Sequence, residues 1–323
     1  MGQRGLVGIV AGLAGALLFA SMASGSLLSF ALFYLAPLPL MIAALGWSHL
    51  AGLIAAVVAS VCLAAAFGAW FFLGFLVGVG LPACWLAYLA LLARPVGASS
   101  PDGLEWYPVG RLVIWSAVLG ALIVALAIPT FGTDVESFRA GLKAAFDRLL
   151  EASDNASDAP LLLPGFSDSQ EQLDFLVAVV PPVAAVVSTV TSLTNLWLAS
   201  KIVSVSGRLK RPWPDLKAME FPRFAPILLA AGIAGSFLPD LMGVVASLFT
   251  CTLLMAYALL GFAVLHATLV GVNGRGFMLA GIYALVAVFG WPALLMALVG
   301  LADAAIDIRG RVARKRGSTR SPT

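Results

Sequence analysis

Leu50-Ala-Gly-Leu-Ile-Ala-Ala-Val-Val-Ala-Ser-Val-Cys-Leu-Ala-Ala-Ala-Phe67 contains no charged residue, and no Asp, Glu, Lys or Arg stands anywhere between Arg4 and Arg94. A span takes roughly 20 apolar residues, so this interval is long enough for several. A bilayer core has no water to satisfy free N–H and C=O groups, which limits a spanning chain to helices or a closed barrel. Barrel strands alternate apolar and polar residues, and these runs are continuously apolar. The expected fold class is therefore all-α, a polytopic helical membrane protein.

The rest of the chain agrees. Of 323 residues, 61% are hydrophobic and 11% charged, with a mean hydropathy of +1.01; soluble domains carry about 25% charge. The expected spans are Leu6–Ala23, Leu27–Leu45, Leu50–Phe67, Phe71–Leu92, Leu112–Thr130 and Phe175–Ala199, then Phe224–Leu238, Leu241–Leu269 and an apolar stretch from Phe277 to Ala302. Arg4 and Arg94 are four spans apart and share a side. Basic loops face the cytoplasm, so that side is inside. The loop with Lys201, Arg208, Lys210, Arg211, Lys217 and Arg223 belongs there, as does the tail with Arg309, Arg311, Arg314, Lys315, Arg316 and Arg320. Three more spans after Arg223 put the tail outside. The conflict resolves if Gly290-Trp291-Pro292 splits the last stretch into a hairpin or if Phe224–Leu238 is re-entrant, so an even number of spans within eight to ten is expected. The N-terminal segment, ending in Ala20-Ser-Met-Ala23, also has the outline of a signal peptide, although its length and apolar successor favour a span.

These spans divide the chain into a five-helix membrane segment over 1–131, an acidic extracytoplasmic insert over 132–174, a second membrane segment over 175–307 and a basic cytoplasmic tail over 308–323. In the insert, Thr133-x-x-Glu136 reads as a capping box. Val135, Phe138, Leu142, Phe146 and Leu149 follow at helical spacing, which predicts an amphipathic helix on the outer face. Ser167-x-x-Gln170 repeats the capping signal.

Polar residues inside the membrane are candidates for function because burying them there is costly. Ser188, Thr191, Ser192 and Asn195 share one helix face below Pro181-Pro182. They fit either interhelical hydrogen bonds of about 1 kcal/mol each or one wall of a ligand cavity. His266 joins them as a buried, hydrogen-bonded histidine or a proton-responsive one. His49 lies in a turn. Asp240 is expected to cap the next helix. Asp303 and Asp307 lie one turn apart, with Asp307 placed to pair with Arg311. Gly8-x-x-x-Gly12 and Gly74-x-x-x-Gly78 are expected to form close helix contacts. Cys62, Cys84 and Cys251 sit in apolar segments and read as packing residues, with no metal spacing. Trp213, between prolines in the basic loop, suits an anionic lipid surface.

No Walker A, dinucleotide, G-x-S-x-G or H-E-x-x-H signature occurs, so no cofactor is implied and enzyme activity is disfavoured.

Four stretches together carry a resemblance: Pro37-Leu-Pro39, Glu105-Trp-Tyr-Pro, Leu260-Gly-Phe-Ala-Val-Leu-His266 and Gly300-Leu-Ala-Asp303-Ala-Ala-Ile-Asp307-Ile-Arg309. Over nearly its whole length the chain resembles the YybS-like family of uncharacterised bacterial inner-membrane proteins, the domain of unknown function 2232. That family is distantly similar to the substrate-binding subunits of energy-coupling-factor transporters, which capture a small molecule within a helical bundle. The resemblance implies a fold and leaves the substrate open.

Two functions follow as expectations. One is transporter-like binding of a small molecule, lined by Ser188, Thr191, Ser192, Asn195 and His266, with the outer helix as a lid. The other is a non-catalytic scaffold or assembly factor docking envelope proteins. Membrane lipids are partners in both; nucleic acid is a partner in neither. The expected location is the bacterial inner membrane, with both termini cytoplasmic.

Overall fold

The computed structural model describes residues 2–97, 103–151 and 169–318. Apart from one short hairpin, the described chain is helical. In order the helices are α1 Gly2–Ala20, α2 Leu27–Tyr34, α3 Pro37–Gly46, α4 His49–Phe67, α5 Ala69–Phe75, α6 Leu81–Ala90, α7 Val109–Phe131, α8 Val135–Glu151, α9 Ser169–Val205, α10 Ala225–Gly235, α11 Asp240–Thr268, α12 Arg275–Phe289, α13 Pro292–Ile306 and α14 Ile308–Ser318. The hairpin pairs β1, Ala93–Pro95, with β2, Leu104–Trp106, antiparallel.

Among the described residues seven segments are long and apolar enough to cross a membrane: Gly2–Ser24, Leu27–Gly46, His49–Phe67, Ala69–Ala90, Val109–Phe131, Asp174–Val205 and Asp240–Thr268. Their outer surfaces are greasy: Leu27 is 90% exposed and Trp70 83%. Apolar surface of this extent on helices of spanning length fits a lipid surrounding. The protein is thus an all-α polytopic membrane protein. Three shorter apolar helices, α10, α12 and α13, lie where span count and charge rule disagree. At 1.5 Å per residue α10 is about 16 Å long and α12 and α13 about 22 Å each, less than the ~30 Å hydrocarbon core. Gly290, at φ 69°, breaks the last apolar stretch between α12 and α13. Of the two alternatives expected from the sequence, the final stretch is split at Gly290, and α10, within the stretch expected to be re-entrant, is 11 residues long.

The chain clusters into two compact units, each assembled from separated pieces. The first comprises Met1–Ser116, Val190–Arg223 and Ala256–Thr323. Here α1 lies along α4 at close range: a Cβ on Gly8 would meet Ile54 and the Ala51 carbonyl, and one on Gly12 would meet Val58 and the Ala55 carbonyl. The Gly8-x-x-x-Gly12 groove is real. The Gly74-x-x-x-Gly78 groove is not, since nothing lies within 4 Å of a Cβ at either position. A π-turn over Leu76–Gly80 rotates the chain so that Gly80 instead faces Ala56. Ser26 and Ser48 cap α2 and α4, each accepting a bond from a backbone N–H three residues on. Later in the same unit α11 and α13 touch backbone to backbone, with Gly261 against the Met296 carbonyl and Gly300 against that of Tyr257.

The second unit comprises Ala117–Thr189 and Phe224–Met255. Its core holds Ala121, Ile128, Phe138, Val177, Ala185 and Leu248. α10 folds back on α11, placing Gly232 against Thr250 and Gly235 against Ala246. The amphipathic helix exists as α8, but its cap is shifted by one residue from Thr133-x-x-Glu136. Asp134 Oδ1 accepts from Ser137 N at 2.9 Å, and Ser137 Oγ accepts from Asp134 N at 3.2 Å. Aspartate caps better than threonine, which explains the shift. The bond from Ser137 N, and after it the one that the Ser137 hydroxyl donates to Asp134 Oδ2 at 2.7 Å, hold the Asp134 carboxyl below its ordinary 3.8. Phe138 is buried edge-on against Phe131, and Leu142 packs on the same core, so these two positions on the apolar face of α8 pack within their own unit. The side chains of Phe146 and Leu149, and Ser167 with its capping signal, lie outside the described residues.

Candidate functional site

A cavity of about 830 Å³ lies within the first unit. Helices supply its apolar wall: Leu112 and Val113 from the start of α7, Leu196 and Trp197 from α9, and Leu259 and Phe262 from α11. The basic loop after α9 supplies Arg211, Trp213, Asp215 and Lys217, while Ser200, His266 and Tyr283 add further polar groups. Pockets of roughly 300–1,000 Å³ with apolar walls and a few polar groups are the usual form of small-molecule sites.

The loop is held by its own cations. Arg208 stacks over the Trp47 ring at 4.4 Å, and Lys201 Nζ lies 5.0 Å from the Trp213 ring centre. Both cations are exposed, and cation–π contacts at exposed sites contribute about 0.5–1 kcal/mol. Arg211 NH1 donates to the Ala90 carbonyl at the end of α6, 3.1 Å away. Among the described residues no carboxylate pairs with Arg211, and burial holds its guanidinium below the ordinary value. Asp215 is occupied locally, its Oδ1 accepting from Lys217 N at 3.0 Å in the turn over Leu216–Ala218.

A second arrangement braces this wall. Asp303 on α13 is buried and accepts from Arg309 three times: from Nε at 2.9 Å, from NH2 at 2.8 Å and, on its other oxygen, from the backbone N at 3.0 Å. Arg309 NH1 donates to the carbonyls of Lys217 at 2.7 Å and Met219 at 2.9 Å. Lys217 and Met219 both line the cavity. Asp307 makes the return possible. It ends α13 in the left-handed region at φ 49°, and its Oδ1 then accepts from Gly310 N to start α14. The expected partner of its carboxylate, Arg311, is replaced by Arg314 at 3.5 Å, because the αL turn breaks the continuous helix that an i, i+4 pair needs.

Of the five residues singled out from the sequence, His266 lines the cavity. Its Nε2 lies 2.9 Å from the Tyr283 hydroxyl, and Tyr283 stacks flat on Phe262 with centroids 4.9 Å apart. The other four are not among the lining residues. Asn195 is 1% exposed and donates from Nδ2 to the carbonyls of Tyr34 and Thr191, each at 2.8 Å. Its Oδ1 has no partner among the described residues. Tyr34 ends α2, and Leu38 N, the donor that a continuous helix would offer its carbonyl, bonds to Leu35 instead. Asn195 therefore closes the gap that the break before Pro37 creates. Thr191 and Ser192 are half-buried on the same helix, as is Ser188. The cavity takes the adjacent strip of α9: Leu193, Thr194, Leu196, Trp197 and Ser200. His49 opens α4 with its ring edge-on to Tyr88, and Asp240 opens α11 at φ 60°. The three cysteines are unpaired. Among the described residues no group of three or more His, Cys, Asp or Glu could hold a metal ion.

Sequence reading took Arg211 and Lys217 as topology signals and Trp213 as a contact for anionic lipid, and did not place the three at a ligand cavity. The usable signal was Arg211-Pro-Trp213-Pro214, a stiff segment placing a cation beside an aromatic ring.

Comparison with known proteins gives one match. A family model described as predicted membrane protein, domain of unknown function 2232, covers residues 13–304. No curated protein and no solved structure matches.

Proposed function

The chain belongs to this family of predicted membrane proteins, and from that premise we propose that it binds a small molecule, transporter-like and without catalysis, in the cavity of its first unit. The observation that supports this reading is the cavity itself: about 830 Å³, mostly apolar, with a few polar side chains from a braced loop. The proposed location is the bacterial inner membrane with both termini cytoplasmic. Arg94, the basic loop and the basic tail favour that orientation. The ligand-lining role expected of Ser188, Thr191, Ser192 and Asn195 passes, in this reading, to Thr194, Trp197, Ser200, Arg211 and His266.

Native mass spectrometry of the full chain in a neutral detergent tests the proposal. The expected result is a bound non-protein mass that is lost when the lining residue Ala263 is enlarged to Phe, while the variant remains folded. The scaffold reading predicts the opposite: no such mass, and a co-purifying envelope protein that disappears when α8 is deleted.

A further inference from the structure

The basic loop places two cations against the cavity, Arg211 and Lys217, and among the described residues neither has a carboxylate partner. Arg211 has a single hydrogen-bond partner among the described residues, the Ala90 carbonyl, which uses one of five guanidinium N–H groups. Arg309, in the same unit, shows the contrast, because Asp303 neutralises it. Around the cavity the charges are Arg211 and Lys217 against Asp215, and Asp215 already caps the adjoining turn. A half-buried guanidinium on an apolar wall is stabilised by an anion that presents oxygen atoms to its planar fork. Beyond that group the wall turns apolar through Leu112, Leu196, Leu259 and Phe262. A small polar anion would leave this surface uncovered, and a neutral hydrocarbon would leave Arg211 unpaired.

We infer that the cavity takes a single-chain amphiphile with a compact anionic headgroup, a phosphate monoester or carboxylate, its head on Arg211 and its chain along α7, α9 and α11. This deepens the reading of the cavity as a ligand site and rests on it. Trp213 and Ser200 border the headgroup, Trp213 with the amphipathic ring suited to a lipid–water boundary. Lys217 adds a second positive charge to the lining. The headgroup chemistry is the same whether the molecule leaves the bilayer or arrives as a soluble metabolite.

The test measures the melting temperature of the full chain in a neutral maltoside detergent, with dodecyl phosphate, dodecanol and inorganic phosphate as separate probes. Dodecyl phosphate is expected to raise the melting temperature by several degrees, and each of the others by much less. Arg211→Gln is expected to weaken dodecyl phosphate binding roughly 10- to 100-fold, the range for a charge-assisted bond. Lys210→Gln, which removes the same charge from the neighbouring exposed position, leaves binding unchanged. If Arg211→Gln fails to fold, Ala263→Phe supplies the second variant, blocking the chain portion of the site while leaving Arg211 in place. Equal stabilisation by dodecanol and dodecyl phosphate overturns the anionic headgroup but keeps the cavity as a ligand site. Equal stabilisation by inorganic phosphate overturns the amphiphile. No stabilisation by any probe overturns this inference, and the reading of the cavity falls with it if native mass spectrometry also finds no bound mass. Masses retained from native membranes identify the source: an anionic lipid that Arg211→Gln loses supports bilayer origin, and a smaller exchangeable anion supports a soluble one. A zwitterionic or neutral mass refutes the inference.

Discussion

Replacing Asp303 by Ala should destabilise the protein by about 3–5 kcal/mol, the usual effect of stranding one member of a buried ion pair. The reasoning starts from exposure: the Asp303 side chain is 3% exposed and that of Arg309 16%. In the variant Arg309 loses both side-chain bonds to the carboxylate, and its backbone N–H loses a third. The guanidinium is left beside two carbonyls with no counterion. Those two carbonyls belong to Lys217 and Met219 in the cavity wall, so the loss reaches the loop. Two assays read the two effects. Thermal denaturation in detergent should show a melting temperature several degrees lower, and trypsin should cut faster at Lys210 and Lys217, since Pro212 blocks cleavage after Arg211. Arg309→Lys should lie between wild type and Asp303→Ala, since an ammonium keeps the charge but cannot reach carboxylate and carbonyls together. Glu105→Ala is the control. Its partner Arg94 is 75% exposed, and such surface pairs contribute about 1 kcal/mol or less. Equal melting temperatures for Asp303→Ala and Glu105→Ala, with unchanged tryptic cleavage, would refute the brace.

Gly300→Ala should cost about 1–3 kcal/mol, because its new methyl group meets the Tyr257 carbonyl, whereas Gly74→Ala should be neutral or slightly stabilising in the same melting assay. Asn195→Ala should cost about 1–3 kcal/mol by removing the buried amide's bonds to the Tyr34 and Thr191 carbonyls, and a restored melting temperature on adding a ligand to that variant would count against so purely structural a role. Asp134 gives a pH test. Its folded value lies below its ordinary one, so the unfolded chain binds more protons; the cap stabilises α8 at neutral pH and is lost as pH falls through the folded value. Melting curves of wild type and Asp134→Ala should therefore differ at neutral pH and converge under acid, and curves that stay parallel would rule the cap out.

The membrane class was written into the stretch between Arg4 and Arg94, because apolar composition acts residue by residue and lipid imposes helix on any chain that cannot hydrogen-bond to water. The breaks were legible too. Gly290 and the shortness of α10 follow from glycine's freedom and from the conflict between span count and charge. Local spacing nevertheless predicted too much at Gly74 and Gly78, where a π-turn rotates the face away, and it placed a cap one residue early in α8. The cavity depends on contacts between distant pieces of chain. Arg211 meets Ala90, Arg309 meets Lys217 and Met219, and Asn195 meets Tyr34. Such pairings arise only when separate helices pack and their unsatisfied carbonyls find donors from elsewhere in the chain. Composition and periodicity decide which solvent a segment prefers and how it coils; tertiary packing decides which charge finds a carboxylate, as Arg309 does, and which finds only a carbonyl, as Arg211 does.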